Sequence, residues 1–327
     1  MKFSLGEARP RFRTGPPSPK VARMDLTTLF LAAALQAPAG PAKSPVADPP
    51  SVCDSCDEWN QPQKPFRLRG RSYYVGVRGL SAVLIQTSDG LILLDGGLPQ
   101  SAPLIEGNIR GLGFKVEDIK LIVNSHAHYD HAGGIARLQR DSGAVVAASG
   151  PGALALTTGM PVPDDPQFGR DGREGAFPKV REVRVVRDKE ELRIGDTAIT
   201  AHLTPGHTPG STAWTWKSCE GSSCLDLVYA DSLTAVSLDG FRFTGDRTRP
   251  DISAEFRRSI ATVGALPCDI MLSTHPGASR LFERLERRAP SPGPDPLIDR
   301  EACRIYAANA LRNLEQRLKT EAPAPAK

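Results

Sequence analysis

Residues 125–134 read SHAHYDHAGG and place four metal-ligating side chains, His126, His128, Asp130 and His131, within six positions. One helix face or one strand face cannot present all four, because side chains repeat about every 3.6 residues in a helix and about every two in a strand. They fit a loop that folds back, so that two ligands serve one cation and two serve its neighbour. Imidazole nitrogen with a carboxylate and no thiolate suits Zn²⁺, with iron and manganese as the other options. The preceding KLIVN at 120–124 is a short apolar run suited to a buried strand, and residues 132–140 read as a helix. A ligand loop between a strand end and a helix start is where open catalytic sites of layered α/β folds sit.

The chain has six histidines, three of them in this loop. His207 lies in TPGHTPGS at 204–211, after a strand-like segment at 198–203. His275 lies in STHPG at 273–277, directly after DIML at 269–272. Three separate strand ends thus each deliver histidine to a loop. His202 falls inside a strand pattern and reads as a structural histidine, or one supporting a ligand, rather than a ligand itself.

The spacing HxHxDH, then PGHTPGS, then THPG resembles the metallo-β-lactamase superfamily. Taken with WNQP at 59–62, YYVG at 73–76, LILLDGG at 91–97, STAWTW at 211–216 and YADSLT at 229–234, it resembles subclass B3 of that family. The likeness covers roughly residues 53–320. Strand clusters followed by helices suggest an α/β fold of two stacked sheets with helices outside, an αββα sandwich. The resemblance adds two similar halves and a metal cleft at one edge.

It implies that His126, His128 and His207 hold one zinc, and that Asp130, His131 and His275 hold a second. Two Zn²⁺ about 3.5–4 Å apart share a hydroxide that attacks the β-lactam carbonyl. Asp130 ligates with one oxygen and orients the hydroxide with the other. Ser232 and Thr234 occupy positions where the subclass binds the substrate carboxylate through hydroxyls, Thr replacing the more usual Ser at the second. Gln167, in DDPQF at 164–168, either flanks the cleft or is a solvated loop residue. Trp214 and Trp216 read as core, Tyr129 as pocket wall or packing, and Asp95 as a buttress of the ligand loop. The implied activity is β-lactam hydrolysis. The alternative is another hydrolase of the same fold, acting on a lactone, thioester or phosphodiester. Glyoxalase-like members use a bridging aspartate, for which Asp231 is the candidate.

Residues 1–39 contain six basic and two acidic side chains, which accounts for the whole formal charge of +4. The remainder is neutral, so nothing suggests a nucleic-acid partner. The same stretch has the shape of a signal peptide, a basic region before apolar residues 26–35 and a small-x-small APA at 37–39. Its apolar part is too short to span a bilayer, which needs about 20 residues. A disordered Pro-rich tail is the competing reading, and Met24 is an alternative start. The expected organisation is leader 1–39, linker 40–52, catalytic domain 53–320 and tail 321–327, exported to the periplasm or beyond as a monomer without a membrane anchor after cleavage.

Six cysteines permit about fifteen connectivities. Cys219 and Cys224 flank a turn that a local Cys219–Cys224 disulfide would close. Cys53 and Cys56 form a CxxC, read as a structural disulfide or as free thiols. In the resembling subclass, cysteines placed like Cys268 and Cys303 are joined. No cysteine is expected to ligate metal.

Overall fold

The computed structural model describes residues 15, 47–169, 175–288 and 294–321. All of the leader at 1–39 except Gly15, residues 40–46 of the linker and residues 322–327 of the tail lie outside the described residues. In chain order the first elements are α1 (Cys56–Trp59), β1 (Phe66–Arg69), β2 (Ser72–Tyr74), β3 (Val83–Thr87) and β4 (Gly90–Leu94). Next come α2 (Ala102–Gly111), β5 (Ile119–Val123), α3 (Tyr129–Ala132), α4 (Ile135–Ser142), β6 (Val145–Ala148), α5 (Gly150–Thr158) and β7 (Val183–Val185). The second half holds β8 (Glu191–Ile194), β9 (Thr197–Leu203), β10 (Thr212–Glu220), β11 (Ser223–Ala230), α6 (Ser253–Ala265), β12 (Ile270–Ser273), α7 (Leu281–Glu286) and α8 (Ala302–Glu321).

Strands β1 to β7 form one sheet in sequence order; strands β12, β11, β10, β9 and β8 form the other. Both sheets begin as antiparallel meanders and end in parallel pairing, β4 to β7 in the first and β11 with β12 in the second. The halves are therefore alike in plan but unequal in size. Short hairpin turns such as Ser88-Asp89 suit the antiparallel part, whereas the parallel crossovers need helices.

Three apolar layers follow from strand alternation. Leu68, Ile92, Leu94, Leu121 and Val123 of the first sheet pack against Ile199, Trp214, Leu227, Tyr229 and Leu272 of the second. The outer face of the first sheet, with Leu84, Leu93, Ile122 and Val146, is covered by Ile105, Ile109, Ile135, Leu138 and Leu156 of α2, α4 and α5. The outer face of the second, with Ala213, Val228 and Met271, is covered by Phe256, Ile260, Val263, Ala307 and Leu314 of α6 and α8. The result is an αββα sandwich. At roughly 1.5–3 kcal/mol for each large side chain fully buried, the middle layer dominates cohesion.

The expected helix at 132–140 is not continuous. α3 and α4 are separated at Gly133 and Gly134, where the chain passes so close to Pro99 and Gly96 that a Cβ on Gly134 would lie 2.2 Å from the Gly96 carbonyl oxygen. The break docks the ligand loop against the turn after β4. β10 and β11 run past the expected limits because their hairpin continues to Cys219, which pairs with Cys224. The structure joins Cys53–Cys56, Cys219–Cys224 and Cys268–Cys303. Among the described residues, no helix is long and apolar enough to cross a membrane.

Candidate metal centre

All six expected ligands meet at one edge of the sandwich, beyond the ends of β5, β9 and β12. The loop after β5 is held from beneath by Asp95, buried and at φ 59° in the turn after β4. Its carboxylate accepts from the Ser125 amide at 2.7 Å, the Ser125 hydroxyl at 2.6 Å, Asn124 Nδ2 at 3.0 Å and the Tyr229 hydroxyl at 2.9 Å. Burial pushes the Asp95 pKa up to about 6, against the opposing pull of His131 and these donors. The second sheet pins the same loop, Trp214 Nε1 donating to the Asn124 carbonyl at 3.0 Å and the Thr212 amide to the Ser125 carbonyl at 2.8 Å.

One ligand group is His126, His128 and His207, all buried, with one donor atom from each within 4.8 Å of the others. Each ring is oriented from behind. His126 Nδ1 lies 2.6 Å from Asp231 Oδ1, which leaves a buried Nε2 with no hydrogen-bond partner among the described residues. His207 Nδ1 lies 2.9 Å from the Thr234 carbonyl oxygen, so it carries the proton and Nε2 is free to ligate. His128 is turned the other way. Its Nε2 is 3.1 Å from both Asp165 oxygens, so Nδ1 is its available donor. Burial drives the His207 pKa down to about 3 and that of His126 well below its ordinary value. Both rings are therefore neutral with lone pairs to share. Burial also opposes charge on His128, but the Asp165 carboxylate outweighs it and raises the pKa.

The second group is tighter. Asp130 Oδ2 lies 3.2 Å from His131 Nε2 and 3.2 Å from His275 Nε2, and the two ring nitrogens are 3.2 Å apart. Zn–N bonds of about 2.0–2.1 Å in a tetrahedron separate neighbouring donors by about 3.3 Å, so this triangle matches one tetrahedral face. His126, Asp130 and His131 also fall within 4.8 Å, which makes the groups contiguous. An orphaned imidazole nitrogen on His126, the neutral rings of His126 and His207 and a triangle of facing donors fit metal ions.

Members of both groups, His128 and His207 of the first and Asp130 and His275 of the second, line a cleft of about 870 Å³. Its walls include Trp59, Tyr129, Gln167, Ser232, Thr234, Val236, Leu238, Thr274 and Tyr306, and no Lys or Arg among the described residues. Ser232 Oγ is 2.8 Å from Thr274 Oγ1. Thr234 lines the cleft, but its hydroxyl is 3.1 Å from His207 Nδ1 and so is shared with a ligand. Gln167 also lines it, with Nε2 3.5 Å from His128 Nδ1 and its amide donating to Asp165 at 2.8 Å. Tyr129 both forms wall and packs on the core. His202 lies apart, its Nε2 2.9 Å from Thr215 Oγ1, and Trp214 and Trp216 are buried between the sheets.

Asp231 sits fully buried behind His126 and is not among the cleft-lining residues. Sequence reasoning missed Asp165, Thr274 and Tyr306. Asp165 had one local signal, an Asp two residues before the amide it caps, as in an Asx turn; Tyr306, on an amphipathic helix, had none.

The metallo-β-lactamase superfamily model matches residues 75–275, and the chain belongs to that superfamily. Its structural neighbours place it with the subclass B3 enzymes, which are hydrolases. The Rm3 metallo-β-lactamase is 50% identical, covering 83% of this chain and 99% of that one at a TM-score of 0.79. MEM-A1, a subclass B3 metallo-β-lactamase isolated from a soil metagenome library, is 50% identical over 80% of this chain and 98% of that one, at a TM-score of 0.77. A hydroxyacylglutathione hydrolase from Anaeromyxobacter dehalogenans is 30% identical over 156 residues, 48% of this chain and 46% of that protein. The chain spans under half the length of the curated relatives it matches.

Proposed function

We propose that this protein hydrolyses the β-lactam amide bond with two zinc ions, one held by His126, His128 and His207 and the other by Asp130, His131 and His275. The observation that carries the reading is the pair of contiguous donor groups opening on one cleft through His128, His207, Asp130 and His275, in a chain half identical to B3 metallo-β-lactamases. When bound, the metal pair supplies activated water and polarises the lactam carbonyl.

The chain's own residues position the reactants. Asp231, Asp165 and the Thr234 carbonyl fix which nitrogen His126, His128 and His207 each present. Asp130 turns Oδ2 to His131 and His275, leaving Oδ1 to accept a hydrogen bond from the attacking water. The water oxygen bonds to the carbonyl carbon, the C–N bond breaks, and one proton passes from water to the released nitrogen. Ser232 and Thr234 meet the substrate carboxylate from one wall, with Gln167 opposite.

A thioester reading draws on the hydroxyacylglutathione hydrolase relative. It asks for a bridging aspartate, and the burial of Asp231 behind His126 favours the lactam reading instead. The test is turnover of a carbapenem and a cephalosporin with added zinc, repeated with a chelator. Chelator-sensitive kcat/KM above about 10⁴ M⁻¹s⁻¹ is expected. Negligible turnover by zinc-loaded protein moves the substrate to lactones, thioesters or phosphodiesters.

Export is part of the same proposal. The leader-like residues 1–39 support it, as does the absence of free cysteine among the described residues, which suits an oxidising compartment. N-terminal sequencing of the protein recovered from periplasm should show a start near residue 40; an intact leader contradicts it.

A further inference from the structure

The hydroxyl of Tyr306, on α8, reaches across to the loop that follows β11. It donates to the Asp231 carbonyl at 2.9 Å and accepts the Leu233 amide at 3.3 Å. Those two backbone groups flank Ser232, whose own hydroxyl meets Thr274. The segment bracketed in this way also carries the Asp231 carboxylate behind His126. α8 is fixed to the neighbouring strand end as well, because Cys303 pairs with Cys268 just before β12, the strand that delivers Thr274 and His275. One helix is thus bonded to the loop after β11 and, through the disulfide, to the start of β12, the end of that strand opposite Thr274 and His275.

We infer that Tyr306 is a positioning residue for substrate binding: its hydroxyl sets the Ser232 backbone and so the direction in which Oγ meets the substrate carboxylate. This rests on the reading of Ser232 as a substrate contact. A phenylalanine fills the same volume but leaves the Asp231 carbonyl and Leu233 amide without their partner. The loop can then relax about Ser232, while His128 and the ligand loop after β5 keep supports outside it in Asp165 and Asp95.

The experiment compares wild type, Tyr306→Phe, Ser232→Ala and the double variant on a carbapenem, with amide hydrogen exchange followed at Leu233. Tyr306→Phe should raise KM about 3–10-fold, the effect of one hydrogen bond, with kcat within about twofold. The double variant should be no worse in KM than Ser232→Ala alone, because both act through one contact. Exchange at Leu233 should be slow in wild type and faster in Tyr306→Phe. The inference is overturned by a fall in kcat at constant KM, by KM effects that multiply in the double variant, or by unchanged exchange. Fast exchange at Leu233 in the wild type overturns it without any variant, should Tyr306→Phe not fold. A wild type inactive on every β-lactam sinks the functional reading itself. The exchange result then still decides whether the hydroxyl brackets Ser232.

Discussion

The Asp95 carboxylate and the Tyr229 hydroxyl meet at 2.9 Å although they belong to different sheets, Asp95 at the end of β4 and Tyr229 on β11. Through the other donors to Asp95, this contact ties the spacing of the sandwich to the ligand loop. Asparagine at position 95 would turn an amide donor toward groups that are themselves donors. Asp95→Asn should lower stability by about 1–3 kcal/mol, measured by urea unfolding. It should also weaken zinc binding about 10–100-fold in chelator competition. Tyr229→Phe should cost less, about 0.5–1.5 kcal/mol.

Asp165 joins a ligand to the loop carrying Gln167. Asp165→Asn should release the ring of His128 and lower affinity for the first metal about 10–100-fold. Gln167→Ala should leave metal affinity unchanged and alter KM alone. Equal zinc affinity in Asp165→Asn and wild type, measured by competition with a chromophoric chelator, contradicts the role.

Ser232→Ala should raise KM for β-lactams bearing a carboxylate more than it lowers kcat, because a contact made in the ground state is lost. Steady-state kinetics on a cephalosporin reads the split. A pure kcat effect contradicts the contact.

Glu321, at the end of α8, accepts from the amides of Phe243 and Thr244 and pairs with Arg317. Burial works to raise its pKa, but these donors outweigh it and hold it below the ordinary 4.5. A depressed folded value stabilises the protein above the unfolded pKa, and that contribution disappears as pH falls through the folded one. Glu321→Gln should therefore lower stability at pH 7 by about 1–3 kcal/mol, with the gap to wild type closing as pH falls below the ordinary 4.5 and through the depressed folded value. A gap that stays constant from pH 7 to pH 3 contradicts the charge argument.

Gly206 precedes His207 at φ 153°, and a Cβ there would lie 2.1 Å from the buried Phe256 ring. Gly206→Ala should cost about 1–3 kcal/mol through overpacking and should displace His207. Thermal unfolding and zinc stoichiometry together check both effects.

Much of the architecture was legible because local signals agreed with the tertiary ones. The apolar run KLIVN and the strand-like 198–203 fall on Ile119–Val123 and Thr197–Leu203, each within a residue of its pattern. The break between α3 and α4 was not, since it depends on how closely Gly134 approaches the carbonyl of Gly96, a contact across 38 positions of sequence. The ligand residues stood out because histidine and aspartate cluster just beyond strand ends, although Asp130 and His131, expected in a loop, fall in the single helical turn α3. Their supports did not. Asp165, Thr274 and Tyr306 gain meaning only when separate segments converge, and an ordinary Tyr on an amphipathic helix carries no local sign of that.

The cleft walls contain no Lys or Arg among the described residues, so within that lining only bound metal would attract an anionic substrate. Capture should then depend on occupancy. Protein stripped of zinc offers an anion mainly hydroxyls, ring edges and the negative charge of Asp130. Long-range steering by the described lining is correspondingly weak, since no basic side chain among those residues draws substrate in from beyond the Debye length of about 10 Å. The association rate should therefore vary little with ionic strength. A protein meeting surroundings of changing salinity would keep its rate of capture wherever the metal it binds remained plentiful.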